Sequence, residues 1–197
     1  MLKAYKYRIY PNEEQKLYLA KTFGCTRFIY NKMLADKIEH YKNTGEMLRN
    51  TPSQYKSEFE WLKEVDSLAL ANVQLNLDKA YKNFFRDKSV GFPKFKSKKS
   101  NYHSFTTNNQ KGTVYIENGH IKIPKLKSMI KIKEHRKLNG IIKSCTISKT
   151  PSGKYYISIL ADTENIELHK LDTKIGVDVG LRDFAICSNG HKEPNPK

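Results

Sequence analysis

The stretch Lys174-Ile175-Gly176-Val177-Asp178-Val179-Gly180-Leu181-Arg182-Asp183-Phe184-Ala185-Ile186-Cys187 predicts two short strands joined by a tight polar turn. Apolar and β-branched residues dominate both halves, and Gly180 permits the bend between them. Asp178 departs from this pattern, because a carboxylate in a strand that should be buried is unfavourable unless it is paired, hydrogen-bonded or bound to a metal. The stretch therefore predicts a chemical role for Asp178 and the start of a separate domain.

The region before this stretch is rich in predicted β-strands. Its clearest element is a hairpin over residues 114–123, in which Asn118-Gly119 forms the turn. Alternating apolar residues predict further strands at 2–10, 130–133, 141–149 and 155–161. Together these segments predict a small antiparallel barrel of about five or six strands.

Residues 12–87 predict a helical insertion between the first and second strands of that barrel. A capping box at Asn12 and Gln15 starts a first helix, which we expect to end at Gly24. Three more helices are predicted: one from about Thr26 to Tyr41, a short one over 55–62, and a long one capped at Asp66 or Ser67. Their apolar stripes at helical spacing predict the core of a helical bundle rather than a cofactor site. The fold class is therefore α+β.

The charge of the chain favours a polyanionic partner. Its 197 residues include 36 Lys and Arg against 20 Asp and Glu, which gives a net charge of +16. Because these cations are spread along the whole length, nucleic acid is the predicted partner, with a ribosome-like or merely basic protein as the alternative. A membrane surface is disfavoured, since no basic amphipathic helix has a wide apolar face.

Cysteine and apolar patterns predict the cellular compartment. The three cysteines are widely spaced and form no C-x-x-C pair, and the six histidines have no metal-ligand spacing. Neither a signal peptide nor an apolar run long enough for a membrane span is visible. These features predict a cytoplasmic protein with reduced thiols, without a disulfide framework or a zinc site.

Two segments and one strand face contain candidate nucleic-acid contacts. Residues 86–99 mix cations with aromatic rings, which suits phosphate binding and base stacking, although a solvated charged loop with buried phenylalanines is the alternative. Residues 104–109 are hydroxyl- and amide-rich, as base-edge contacts require and as ordinary loops also are. The outward face of the first strand adds a cation and a phenol. The candidates are Arg8, Tyr10, Lys94, Phe95, Lys96, Lys98, Lys99, Thr106, Thr107 and Asn108.

Three roles are open for Asp178 from the local pattern. In RNase H-like nucleases such an aspartate is a shared ligand of two Mg²⁺ ions that hydrolyse a phosphodiester. In actin-like ATPases a D-x-G sequence opens a phosphate-binding hairpin, but Leu181-Arg182 follows Gly180 here instead of hydroxyl residues. The third role is a hydrogen bond to a turn backbone. Asp183 is expected to be a turn residue.

The order of several motifs resembles the TnpB (OrfB) proteins of insertion sequences. The resemblance covers essentially the whole chain and depends on Tyr7-Arg8-Ile9-Tyr10-Pro11, Arg27-Phe28-Ile29-Tyr30-Asn31, Ala80-Tyr81-Lys82-Asn83-Phe84-Phe85, Gly91-Phe92-Pro93-Lys94-Phe95-Lys96 and Gly176-Val177-Asp178-Val179-Gly180-Leu181-Arg182-Asp183-Phe184-Ala185. It implies an RNA-guided DNA endonuclease with guide RNA and double-stranded DNA as partners. The implied domains are a wedge barrel (1–10 and 101–172), a helical recognition insertion (11–100) and the start of a RuvC nuclease domain (173–197).

The resemblance also implies individual roles. Asp178 matches the first RuvC catalytic aspartate and metal ligand, whereas Asn72 and Thr106 match positions that recognise a short motif beside the DNA target. Ser67, Leu68 and Ala71 depart from the family pattern on the same helix, so the recognised motif is expected to differ.

The end of the sequence at Lys197 comes before the family's remaining catalytic acids and zinc element. We therefore expect Mg²⁺ in the complete nuclease but no bound metal and no DNA cleavage from these residues alone. Two alternatives remain: a naturally truncated, non-catalytic RNA-guided DNA-binding protein or repressor, and an actin-like ATPase fragment.

Overall fold

The computed structural model of the protein describes residues 1–99, 103–165 and 171–196. The chain divides into a larger unit, Met1–Glu164, and a smaller unit, Asn165–Lys197. No helix among the described residues is both long and apolar enough to cross a membrane.

An antiparallel seven-stranded sheet forms the centre of the larger unit. Its strands are β1 (Leu2–Tyr10), β2 (His103–Asn108), β3 (Tyr115–Glu117), β4 (His120–Lys122), β5 (Ile130–Lys133), β6 (Ile141–Lys149) and β7 (Tyr155–Asp162). Their order across the sheet is β2-β6-β7-β1-β5-β4-β3. The predicted hairpin is present as β3 and β4, and Asn118 and Gly119 both have the positive φ that its turn requires.

The sheet has seven strands where the sequence predicted about five or six, because β2 was interpreted as a short polar segment and not as a strand. It pairs along its whole length with β6, from His103 opposite Lys149 to Asn108 opposite Ser144. The helices follow β1 and precede β2, as predicted. Closure of this sheet into a wedge barrel stays a prediction.

One face of the sheet forms the first apolar core. Tyr5, Tyr7 and Ile9 of β1 are buried, as their alternation predicted, and they meet the buried face of β7. Leu19 and Phe23 from the first helix pack on the same face. The apolar half of each strand is thereby covered, and the polar half is left outside.

The first helix, α1 (Glu13–Thr44), is continuous, so the predicted break at Gly24 is wrong. A glycine inside a helix costs about 1 kcal/mol relative to alanine. That cost is smaller than the stabilisation from the buried residues on either side of it, Phe23 and Ile29 among them. The capping box of Asn12 and Gln15 is present, and the helix ends at Gly45 in a left-handed conformation with φ of 74°.

The second half of α1 packs against α2 (Ser67–Arg86) around a second apolar cluster. The predicted stripe of α2 is buried at Leu70, Val73, Leu77 and Tyr81. Two short 3₁₀ helices, Pro52–Lys56 and Glu60–Glu64, replace the predicted helix over 55–62. The described part of the insertion is thus a pair of long helices with 3₁₀ turns rather than four separate helices.

The smaller unit has a three-stranded antiparallel sheet of β8 (Val177–Asp178), β9 (Asp183–Cys187) and β10 (Lys192–Pro194), in the order β10-β9-β8. The predicted strand, turn and strand are therefore present. Their predicted burial is wrong: Val177 and Val179 are 58% and 71% exposed, and Asp178 is also exposed. So few short strands cannot cover both faces of a sheet.

Candidate nucleic-acid interface

A polar cleft of about 220 Å³ lies where α1, α2 and β2 meet. It unites three of the predicted contact residues, Asn72, Lys96 and Thr106. Its other lining residues are Phe23, Thr26, Arg27, Ala69, Val73, Asn76, Ser97, His103, Ser104 and Phe105. Arg27 and Asn76 were missed as site residues, because their positions face the cleft only after the helices pack.

The side chains of β2 alternate between the two faces of the sheet. Phe105 and Thr107 are buried, whereas Ser104, Thr106 and Asn108 lie on the opposite face. The Thr106 hydroxyl is 2.8 Å from that of Thr146. Hydroxyls and amides in such an arrangement donate and accept hydrogen bonds, as contact with base edges requires.

Asn72 connects α2 to the same face of β2. Its Nδ2 donates to the Leu68 carbonyl oxygen at 2.9 Å and lies 3.5 Å from Asn108 Oδ1. At 3.5 Å the second contact is longer than an ordinary N–H···O hydrogen bond. Asn72 and Thr106 line the cleft, and Asn108 lies next to Asn72.

Thr107 has a different position from the one predicted. Its side chain is 1% exposed, and its hydroxyl donates to the Asp66 carboxylate. Asp66 in turn caps α2 by accepting from the Leu68 amide at 3.3 Å. This burial argues against a direct contact with nucleic acid and gives Thr107 the role of fixing α2 to β2.

We call residues 86–99 the basic aromatic segment, and its phenylalanines lie in two different environments. Phe92 packs against Tyr81 and Phe84, with ring centroids 5.5 and 5.4 Å apart. Phe95 is 57% exposed and lines a shallow groove on α1. Phe92 thus contacts the helix pair while its side chain stays 44% exposed, and Phe95 is accessible. Contact of this segment with nucleic acid stays a prediction.

The cations of this segment are mostly directed to solvent. Lys94, Lys98 and Lys99 are exposed. Lys96 Nζ lies 4.2 Å from the centroid of the Tyr30 ring. Burial of this ammonium end lowers the pKa of Lys96.

Arg8 and Tyr10 lie outside the cleft, on the polar face of β1. The guanidinium carbon of Arg8 is 5.0 Å from the Tyr10 ring centroid, as in a cation–π pair. Its Nε is buried and lacks a hydrogen-bond partner among the described residues. The Tyr10 side chain is exposed, so this end of the pair is accessible to a ligand.

Cross-strand neighbours connect the cleft to β1 over the polar face of the sheet. One row runs from Thr106 through Thr146 and Ser158 to Lys6, and a second runs from Ser104 through Ser148 and Tyr156 to Arg8. Within the described strands β1, β2, β6 and β7, Asp162 is the single carboxylate. We call this surface the polar sheet face. The serines and threonine of β6 were missed, although their alternation with Cys145 and Ile147 was a usable signal.

Asp178 lies in the smaller unit, where β8 pairs with β9 and Asp178 is opposite Ile186. Among the residues that the structure describes, no group of three or more His, Cys, Asp or Glu side chains is arranged to hold a metal ion. One carboxylate does not supply the ligands of a two-ion site.

Comparison with known proteins identifies the family to which this sequence is related. Residues 1–46 match the model of a helix-turn-helix domain of IS605 OrfB proteins. InsQ of Escherichia coli K12 is 30% identical to this chain over 96% of the chain's length. InsQ has the provisional name of an RNA-guided DNA endonuclease. The chain belongs to the TnpB (OrfB) family. In this TnpB-family chain the matched residues 1–46 form one strand and one uninterrupted helix.

Two other relatives define the extent of the similarity. A provisionally named RNA-guided DNA endonuclease of Streptomyces pristinaespiralis is 29% identical over 99% of this chain. The chain covers 50% of that protein and 48% of InsQ, so it spans about half the length of these TnpB-family relatives. Virulence protein VsdF of Salmonella dublin is 37% identical over 115 residues, which are 50% of this chain and 95% of VsdF.

Proposed function

We propose that this chain contains the guide-RNA-binding and target-DNA-binding part of an RNA-guided DNA endonuclease that acts in the cytoplasm. The polar sheet face and the cleft form one hydroxyl-rich and basic surface, and this continuity is the observation that supports the proposal most directly. The names of its TnpB-family relatives support the same activity for the whole protein.

Different parts of the surface would make different contacts. Asn72, Thr106 and Asn108 would recognise a short motif beside the DNA target, because amides and hydroxyls can distinguish base edges. Arg8, Lys94, Lys96, Lys98 and Lys99 would bind phosphates, while Tyr10 and Phe95 would stack on bases or ribose. Guide pairing would supply most of the sequence specificity.

The nuclease step belongs to the whole protein in this proposal. Asp178 would be one carboxylate ligand of Mg²⁺, whose chemistry when bound is to activate water and stabilise the leaving oxygen. Residues 173–197 would be the beginning of the RuvC-like domain that completes this site. Asp178 is exposed on a short strand, so its carboxylate is accessible to further ligands.

A selection experiment tests the role of the cleft. Guide RNA and protein are incubated with duplexes that contain the guide's target beside randomised base pairs, and bound duplexes are sequenced. We expect the wild-type chain to enrich a short adjacent motif. Thr106→Val and Asn72→Ala should each lower the discrimination between correct and incorrect base pairs at one position of that motif, by about 1–3 kcal/mol.

Thr113→Val is the matched control for this selection, because Thr113 is exposed and lies outside the cleft lining. It should leave the enriched motif unchanged. Wild-type binding without guide dependence, or an enriched motif that neither cleft substitution alters, would contradict the proposal.

A further inference from the structure

Asn31 connects α1 to the basic aromatic segment through two reciprocal hydrogen bonds. Its Oδ1 accepts from the Lys96 amide at 2.8 Å, and its Nδ2 donates to the Lys96 carbonyl oxygen at 2.9 Å. One side chain thus satisfies both polar groups of a residue 65 positions away. This pairing resembles the bonds between adjacent β-strands and fixes the backbone at Lys96 in position and direction.

The anchored residue lies at the cleft. Lys96 and Ser97 line it together with Arg27, which is one helical turn before Asn31 and on the same side of α1. On the other side of the anchor, Phe95 lines the shallow groove that Arg27, Phe28 and Asn31 help to form. The position of the Lys96 peptide therefore decides which side chains of the segment face the cleft and which face the groove.

The segment needs an anchor because of its own composition. Lys94, Lys98 and Lys99 are exposed cations close to Lys96, and like charges along a chain repel each other and favour extended conformations. Ordering such a segment also costs conformational entropy. A segment released from Asn31 would hold Lys96 at the cleft for only a fraction of the time. The apparent affinity of the protein for nucleic acid would then fall to that fraction of its full value.

We propose that Asn31 is a positioning residue, which holds the Lys96 peptide so that this lysine stays at the cleft and contacts a phosphate of the bound nucleic acid. The inference rests on the proposed function, because it needs a nucleic acid in the cleft. Asn31 itself needs no contact with that ligand.

Limited digestion with trypsin tests the anchor without nucleic acid. Asn31→Leu keeps the branched shape of the side chain and removes both hydrogen bonds. We expect cleavage after Lys94, Lys96 and Lys98 to accelerate on the order of tenfold, as the loss of two ordinary hydrogen bonds allows. Asn43→Leu is the matched control, since Asn43 is an exposed asparagine on the same helix. Circular dichroism should show that both variants keep the wild-type helix content.

A double-mutant cycle tests whether Asn31 acts through Lys96. Affinity for guide RNA and target duplex is measured for the wild type, Asn31→Leu, Lys96→Met and the double variant. We expect Asn31→Leu to weaken binding by about fivefold in the wild type and by less than about twofold in the Lys96→Met background. A purely structural role would give the same loss in both backgrounds.

The outcomes separate the anchor from the function. Unchanged proteolysis in Asn31→Leu, or additive losses of affinity, would overturn the positioning role. A wild-type chain that bound neither nucleic acid would contradict the proposed function and the role of Lys96 with it, while the digestion would still show whether Asn31 orders the segment.

Discussion

At the scale of single residues, two adjacent threonines on β2 have different environments and different roles. Thr106 faces the cleft and pairs with Thr146, whereas Thr107 is buried and donates to Asp66. The period of two along a strand explains the difference. The sequence could not reveal it, because Thr106, Thr107 and Asn108 are all polar and the strand had no apolar alternation strong enough to predict its register.

Thr107→Val should destabilise the protein and leave the recognised DNA motif unchanged. Valine has nearly the same shape as threonine, but it leaves Oδ2 of the Asp66 carboxylate without its donor in a site that is largely buried, while Oδ1 keeps the Leu68 amide. Hydrogen bonds to charged groups contribute about 1.5–3 kcal/mol, so we expect a loss of this size in the free energy of unfolding in urea.

Thr106→Val is the natural comparison for this measurement. Its hydroxyl is only half-buried and pairs with another hydroxyl, so its removal should cost less than about 1.5 kcal/mol. Equal destabilisation by the two substitutions would contradict the assignment of Thr107 to the joint between α2 and β2.

At the scale of elements, the limits of α1 were predictable but its continuity was not. The residues of the capping box at Asn12 and the glycine at position 45 are local signals in the sequence. The structure has the capping box at Asn12 and a left-handed backbone at Gly45. Whether the helix passes through Gly24 depends on the apolar residues that tertiary packing buries on both sides. Local propensity has a weaker effect than this burial, which is why the predicted break failed.

Gly24→Ala should therefore stabilise the protein. A Cβ atom added at Gly24 meets no atom within 4 Å, and alanine is favoured over glycine in a helix interior by about 0.5–1 kcal/mol. Gly45→Ala should have the opposite effect, because φ at Gly45 is 74° and alanine is strained there. Thermal unfolding of the two variants compares them directly. A lower midpoint for Gly24→Ala would indicate that the helix bends at Gly24 in solution.

At the scale of the whole molecule, the net charge of the chain favours a polyanionic partner, but no sequence pattern revealed the surface that would bind it. The polar sheet face joins Ser104 to Arg8 through Ser148 and Tyr156, which are distant along the chain. Such a row exists only once the strand order is known. The same limitation applies to the cleft, where α1, α2 and β2 each contribute residues that look ordinary in isolation.

The distribution of charge over this surface predicts how binding responds to salt. Each phosphate contact removed should reduce the slope of log K against log salt by about 0.7–0.9, because fewer counterions are released. Replacing Arg8, Lys94, Lys96 and Lys98 with glutamine should therefore lower the slope by roughly 3. The measurement is a titration of guide RNA and of target duplex over a range of potassium chloride concentrations.

A second quadruple variant separates local contacts from total charge. Lys42, Lys111, Lys127 and Lys137 are exposed and lie outside the cleft lining, the polar sheet face and the basic aromatic segment, so their replacement with glutamine removes the same charge elsewhere. Bound phosphates release counterions only where cations touch them, whereas long-range attraction depends on the whole field. This control should weaken binding at low salt while keeping most of the slope. If both variants reduced the slope equally, the interface would be the general charge of the chain and not the surface described here.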